Sequence, residues 1–244
     1  MKTVPNGHRA TMASRLEAGD SLDYFPSPPW WGRSFGILLD RLGLPGRGLV
    51  CEEPAAGEGH LAHGLSDVFR TVRASDVYPY PRRSGAVAIA RQDYLRPTLH
   101  LTTPTMRALA APDWTVTNPP FGDLTEAFIR RAVARSRIGA AMLLQLRLLE
   151  GVERHALFRE CGLYAVAVLP RRGSGLRKGL WQPGLSTATT YAWFIFVRPG
   201  MAPEWSGFDG EARMLWVEPG ASDALTRPSD MAFAGLSTRR REAA

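Results

Sequence analysis

Between residues 48 and 197 the chain alternates short apolar runs with helical stretches, and that alternation limits the architectures open to it. Residues 48–53, 71–76, 114–117 and 140–146 read as strands, with a weaker one at 86–90. Helices are expected from the glycine turn after residue 53 to about 69, and over 124–135 and 152–161. Strands joined through helices lie parallel, because the crossover returns the chain to the same end of the sheet. Two further runs, 163–169 and 190–197, have no helix between them and should pair antiparallel; residues 214–217 offer a short extra strand. Upstream, residues 24–31 are proline-rich and aromatic and read as a stiff loop. Phe35, Ile37, Leu38, Leu39 and Leu42 then mark a helix stopped by Gly43 and Pro45. The expected fold class is α/β: a mostly parallel sheet with helices on both faces and a C-terminal antiparallel strand.

At 244 residues, 45% of them hydrophobic, the chain can build one α/β domain with a full core. Neither of its two cysteines, Cys51 and Cys161, lies in a CxxC pair, and the histidines form no HExxH or HxxxH, so no disulfide framework and no metal site are expected. His60 and His63, one turn apart, read as a polar helix face. A secretory apolar segment and a membrane-length apolar run are both absent, so a soluble, cytoplasmic protein is expected. The formal net charge is +7 and unevenly placed. From Arg130 to Arg198 twelve arginines and lysines meet three acids, whereas residues 199–237 carry two cations and six acids. A phosphate backbone attracts such a basic block, since each neutralised phosphate releases counterions. A solvated arginine-rich face has the same composition.

Two constellations carry chemistry. Glu53-Pro54-Ala55-Ala56-Gly57-Glu58-Gly59-His60 joins the first strand to a helix, where glycines let the backbone approach a ligand and the helix start offers free N–H groups. The second strand then ends in Asp76, placed to accept both hydroxyls of a ribose. Ala62 stands at the third position of the GxGxxG/A pattern, so a dinucleotide remains open on this point. After the fourth strand comes Asn118-Pro119-Pro120-Phe121. An adenine or amide nitrogen has a delocalised lone pair and attacks a sulfonium methyl poorly unless acceptors hold its N–H groups. The Asn118 side-chain oxygen and the Pro119 carbonyl are such acceptors. The prolines stiffen the turn, and Phe121 offers a face for a planar base.

On these residues, positions 24 to about 218 resemble the class I, Rossmann-like, S-adenosylmethionine-dependent methyltransferases of the N6-adenine DNA type, above all small phage and prophage enzymes. The resemblance implies a seven-stranded sheet, S-adenosylmethionine as cofactor, duplex DNA with a flipped-out adenine as partner, and direct transfer without metal or membrane. It divides the chain into an arm (1–23), a catalytic domain (24–218) and a C-terminal tail (219–244). Phe25, Ser27 and Pro28 match the segment that closes over the cofactor, and Glu53, Ala55, Gly57 and Gly59 match the cofactor loop. Asp76 matches the ribose acid, Asp93 the acid that holds the cofactor adenine, and Asn118, Pro119, Pro120 and Phe121 the catalytic tetrapeptide, with Asn118 also against the cofactor. Phe25 and Ser27 replace a commoner Tyr and Thr, and Glu53 replaces a commoner Asp. Many restriction-type relatives carry a separate recognition domain, for which the residues after 197 leave no room. Arg171, Arg172, Arg177, Lys178 and Trp181 are the expected substitute, with cations gripping phosphates and the indole stacking on or wedging beside a base. A solvated loop is the bland reading of the same residues. Alternatives are a protein-glutamine or ribosomal-RNA N-methyltransferase with the same tetrapeptide and, from another class, an inactive cofactor-fold protein that binds DNA.

Overall fold

The computed structural model describes residues 25–81, 85, 87–96, 110–170, 181–183 and 189–235. Helix α1 (Pro29–Leu42) starts earlier than its apolar pattern, inside the segment expected to be a loop. Proline at the first helical turn gives up no hydrogen bond and brings a suitable φ, so Pro29 opens the helix. Gly43, at φ 67°, ends it, with its own N–H turned back to Asp40 and that of Leu44 to Leu39.

Strands β1 (Val50–Glu53), β2 (Thr71–Asp76), β3 (Ile89–Arg91), β4 (Trp114–Thr117), β5 (Gly139–Gln145), β6 (Leu163–Val168), β7 (Tyr191–Val197) and β8 (Arg213–Trp216) form one sheet in the order β3-β2-β1-β4-β5-β7-β6-β8. Among the described residues only β7 runs against its neighbours, β5 and β6, the antiparallel pairing expected of these two runs. The sheet has eight strands rather than seven, because β8 adds itself parallel to β6 at the edge. The further α-helices are α2 (His60–Leu65), α3 (Leu124–Arg135), α4 (Arg154–Cys161) and α5 (Ala221–Leu225), with 3-10 turns over Leu146–Glu150 and Pro228–Phe233.

Strand β7 explains why both faces are covered. Tyr191, Trp193, Ile195 and Val197 enter a core with Trp30 and Phe35 of α1 and Leu61 of α2, while Ala192, Phe194 and Phe196 join Ile129 of α3 and Phe158 of α4. A strand apolar at every position must be buried on both sides. Helices α1 and α2 touch backbone to backbone at Gly64, where a Cβ would stand 1.8 Å from the Pro29 carbonyl oxygen.

The expected tail from residue 219 is corrected as far as residue 235. Helix α5 and a 3-10 turn (Pro228–Phe233) fold back over α1 and α2. Asp230, fully buried, receives the Arg33 guanidinium through two bonds of 2.6 and 2.8 Å. Phe233 packs against His60 and His63, with ring centroids 5.2 and 4.6 Å apart. That pair is therefore covered by this segment and is not a polar helix face. The expected arm, residues 1–23, lies outside the described residues.

Topology then sets the site. The chain leaves β1 for β2 and β3 on one side and returns to β4 on the other. Connections diverge at the carboxyl ends of β1 and β4 and leave a crevice there, where open α/β sheets take ligands.

Candidate active site

Glu53 closes β1 with its side chain 1% exposed. Its carboxyl accepts the Ala62 N–H from α2, while Oε2 meets no hydrogen-bond partner among the described residues. Burial, and after it repulsion from Asp76, pushes this carboxyl well above the usual range.

The turn that follows depends on glycine. Gly57 at φ 54° and Gly59 at φ 91° occupy left-handed conformations that a side chain disfavours. Gly59 donates to the Ala56 carbonyl at 2.8 Å, and the Gly57 N–H reaches one oxygen of Asp76 at 2.8 Å. The Tyr78 N–H takes the other oxygen at 2.9 Å. With the Val77 N–H also directed at this carboxylate, three of its roughly four acceptor directions are taken and about one is left for a ligand. Burial raises the Asp76 carboxyl to about 6, against the pull of the Gly57 and Val77 N–H groups.

Asn118 leaves the end of β4 and is held by the N-terminal segment. Its Nδ2 donates to the Phe25 carbonyl at 3.2 Å and to the Ser27 hydroxyl at 3.0 Å. A carbonyl oxygen only accepts, which fixes the amide's orientation. Asn118 Oδ1 is buried and meets no hydrogen-bond partner among the described residues. Thr125, in the first turn of α3, donates to the Pro120 carbonyl at 2.9 Å and pins the turn. Phe121 meets Phe25 edge-on, centroids 5.1 Å apart. Asp93 follows β3 and accepts the Leu95 N–H and the Arg96 Nε, each at 3.0 Å.

These residues share one cavity of about 500 Å³. Phe25, Ser27, Glu53, Ala55, Gly57, Asp76, Asp93, Asn118, Pro119, Pro120 and Phe121 all line it. Pro28 and Gly59 stand just behind the wall as the caps of α1 and α2. Sequence reasoning missed His60, Val77 and Tyr94, each the next residue after one it named, and Leu124 and Phe128, which share a side of α3 one turn apart. The cavity offers carboxyl acceptors beside apolar walls from Leu61, Val77, Leu95 and Phe128. Such a lining suits a ligand with a cationic group, vicinal hydroxyls and a planar ring.

The expected target loop is treated differently. Trp181 is fully buried in the core with Trp31 and Tyr191, and its carbonyl accepts the Gly235 N–H at 3.1 Å. This corrects its reading as a base-stacking side chain: its apolar bulk is spent on the core. Arg171, Arg172, Arg177 and Lys178 lie outside the described residues. Among the described residues no group of three metal-ligating side chains occurs, and no helix is long and apolar enough to cross a membrane.

No family model and no curated protein matches the chain. Solved structures do. A Listeria monocytogenes protein described as a class I S-adenosylmethionine-dependent methyltransferase aligns over 88% of this chain and 71% of its own, with a TM-score of 0.55 and 13% identity. A Pyrococcus horikoshii protein described as an RNA methyltransferase aligns over 76% of this chain and 95% of its own, with a TM-score of 0.51 and 15% identity. At these identities the shared property is the fold, and this chain has the Rossmann-like α/β architecture of class I methyltransferases.

Proposed function

We propose that the chain is an S-adenosylmethionine-dependent methyltransferase acting on the N6 exocyclic amine of adenine in duplex DNA. The observation that carries this reading is Asn118: its amide is anchored through Nδ2, and its buried Oδ1 is left as an unmatched acceptor beside the cavity. A buried polar atom without a partner is costly, and an N–H of the target amine would satisfy it. With the Pro119 carbonyl as second acceptor, both amine hydrogens are held and the nitrogen lone pair turns out of conjugation with the ring.

The cofactor fits the opposite wall. Glu53 Oε2, also without a partner, is an acceptor for an ammonium group; Asp76, whose carboxyl lines the same cavity, is an acceptor for a ribose hydroxyl. Asp93, beside Leu95 and Phe128, offers a carboxylate to the amine of a purine in an apolar slot. When bound, S-adenosylmethionine supplies a methyl group on an electrophilic sulfonium. No side chain need act as general base, because the amine loses its proton only as the new bond forms. A base in a duplex must leave the stack to reach Asn118, and Phe121 offers it a face there.

DNA is favoured as substrate by the basic block between Arg130 and Arg198. The test is transfer of tritiated methyl from the cofactor to duplex DNA, followed by identification of the modified base. Label in N6-methyladenine supports the reading. Label only in RNA or protein rejects the substrate, and binding of S-adenosylhomocysteine without transfer to any of the three rejects the enzyme in favour of a binding module.

A further inference from the structure

We propose that Arg131 is a positioning residue for the adenine end of the cofactor, which rests on the cofactor reading above. The turn that carries Asp93 and Leu95 into the cavity follows β3, a three-residue strand at the edge of the sheet. On its strand side the turn is tied by the Gln92 N–H to the Asp76 carbonyl at 2.8 Å. An edge turn with so little ladder behind it needs bracing from another element if its carboxylate is to hold a fixed place.

Helix α3 provides that brace. Phe128 and Arg131 stand three residues apart and so share a side of the helix. Both meet the buried Tyr94 ring: the Phe128 ring lies 5.1 Å from it, and the Arg131 guanidinium carbon lies 5.3 Å over its centroid. Arg131 also donates to the Arg96 carbonyl at 3.0 Å. Arg96 in turn places its Nε on Asp93 at 3.0 Å. Arg131 thus grips the turn at residues 94 and 96, on either side of Leu95, without lining the cavity itself. Its neighbour Arg130 differs, pairing with Glu126 and Glu160 on the open face of α3 and α4. Because α3 begins just after Asn118–Phe121, the same helix steadies the target-holding turn at its start, through Thr125, and the cofactor acid two turns later.

The discriminating measurement is calorimetric affinity for S-adenosylhomocysteine and for S-inosylhomocysteine, in which a carbonyl replaces the purine amine that Asp93 accepts. Wild type is expected to prefer the adenosyl ligand by about tenfold or more, the worth of one charge-assisted hydrogen bond. Arg131→Ala should bind the adenosyl ligand roughly tenfold more weakly, with the preference falling towards one, because a loosened Asp93 no longer distinguishes the two. Arg131→Lys, which keeps a cation over Tyr94 but not the planar fork, should fall between, and it serves as the reading if the alanine variant does not fold. Weaker binding with the preference intact would mean general loosening and overturn the proposal, as would unchanged affinity in both variants. If wild type binds neither ligand, the cofactor reading itself fails and takes this one with it; wild-type binding with an indifferent Arg131 removes only the brace.

Discussion

Glu53 and Asp76 share one wall of the cavity, and burial pushes the carboxyls of both towards their neutral form. This sets opposite pH trends for the free and the liganded protein. Asp76, at about 6 in the fold against 3.8 ordinarily, binds its proton more tightly folded than unfolded. Its contribution to stability is therefore complete below the unfolded value and lost as pH rises through 6. A charge-assisted bond from the ribose requires the ionised form, so the stabilisation that S-adenosylhomocysteine confers should shrink between pH 7.5 and 5. Thermal melts with and without that ligand check both trends, and Asp76→Asn should flatten them. Asp76→Ala should weaken cofactor binding about ten- to a hundred-fold, the worth of a charge-assisted bond to the ribose. Asn118→Ala should behave differently: methyl transfer lost outright, with cofactor affinity falling less than in Asp76→Ala, by no more than the loosening of Phe25 and Ser27, which its amide holds. Near-wild-type turnover in that variant would sink the amine-holding mechanism. At this scale the sequence marks Asp76 and Asn118 by their places at strand ends, and the fold brings both to the cavity. It was silent on which oxygen is left without a partner, because that depends on Phe25 and Ser27 arriving from a distant part of the chain.

The elements were legible wherever the apolar period was clean. Strand β2 and helix α3 fall on the residues that the pattern marks, and β7 pairs antiparallel with β6, as expected from two apolar runs with no helical pattern between them in the sequence. Two segments were misread for physical reasons. The start of α1 is hidden by prolines, which look like loop until one considers that a first helical turn tolerates them. The C-terminal segment looks like tail because its anchors are scattered, the buried Arg33–Asp230 ion pair and single apolar residues such as Ala221 and Phe233, with no regular apolar stripe. Burial alone would raise the Asp230 carboxyl, but the Arg33 guanidinium overcomes it and holds the group below its usual value. This pair therefore stabilises the fold at neutral pH and is lost only as acid titrates Asp230 below the ordinary carboxylate range. Asp230→Ala would leave Arg33 with Asp67 as its one carboxylate partner beside the Leu225 carbonyl, at a cost of roughly 3–5 kcal/mol in denaturant unfolding. A change within a few tenths of a kcal/mol would return residues 228–233 to the status of a loose appendage.

For the molecule as a whole, topology decides at which edge the chain passes from β6 to β7. Strand β6 runs parallel with β5, β4 and β1, and β7 runs against it, so the chain leaves at Pro170 and re-enters at Tyr191 on the edge that carries Asn118 and Glu53. Arg171, Arg172, Arg177 and Lys178, which fall in the sequence between these two ends, lie outside the described residues, and their grip on a target is a proposal to be tested. Trp181, by contrast, belongs to the core, and this separates two effects that one loop would otherwise confuse. Replacing the four cations together should weaken duplex binding and flatten its dependence on salt, by a slope of up to about 0.9 for each phosphate no longer neutralised, with melting temperature and cofactor affinity unchanged. Trp181→Ala should instead destabilise the fold by about 3–5 kcal/mol, as expected when a large buried ring is truncated. Any loss of turnover in that variant should track its unfolding. The measurement is duplex affinity across a salt series beside a thermal melt, for wild type and both variants. Equal salt slopes for wild type and the four-charge variant would assign those cations to solvent. With Arg130 already paired and Arg131 turned to Tyr94, the search for the phosphate-gripping surface would then move to exposed Arg147, just past the end of β5.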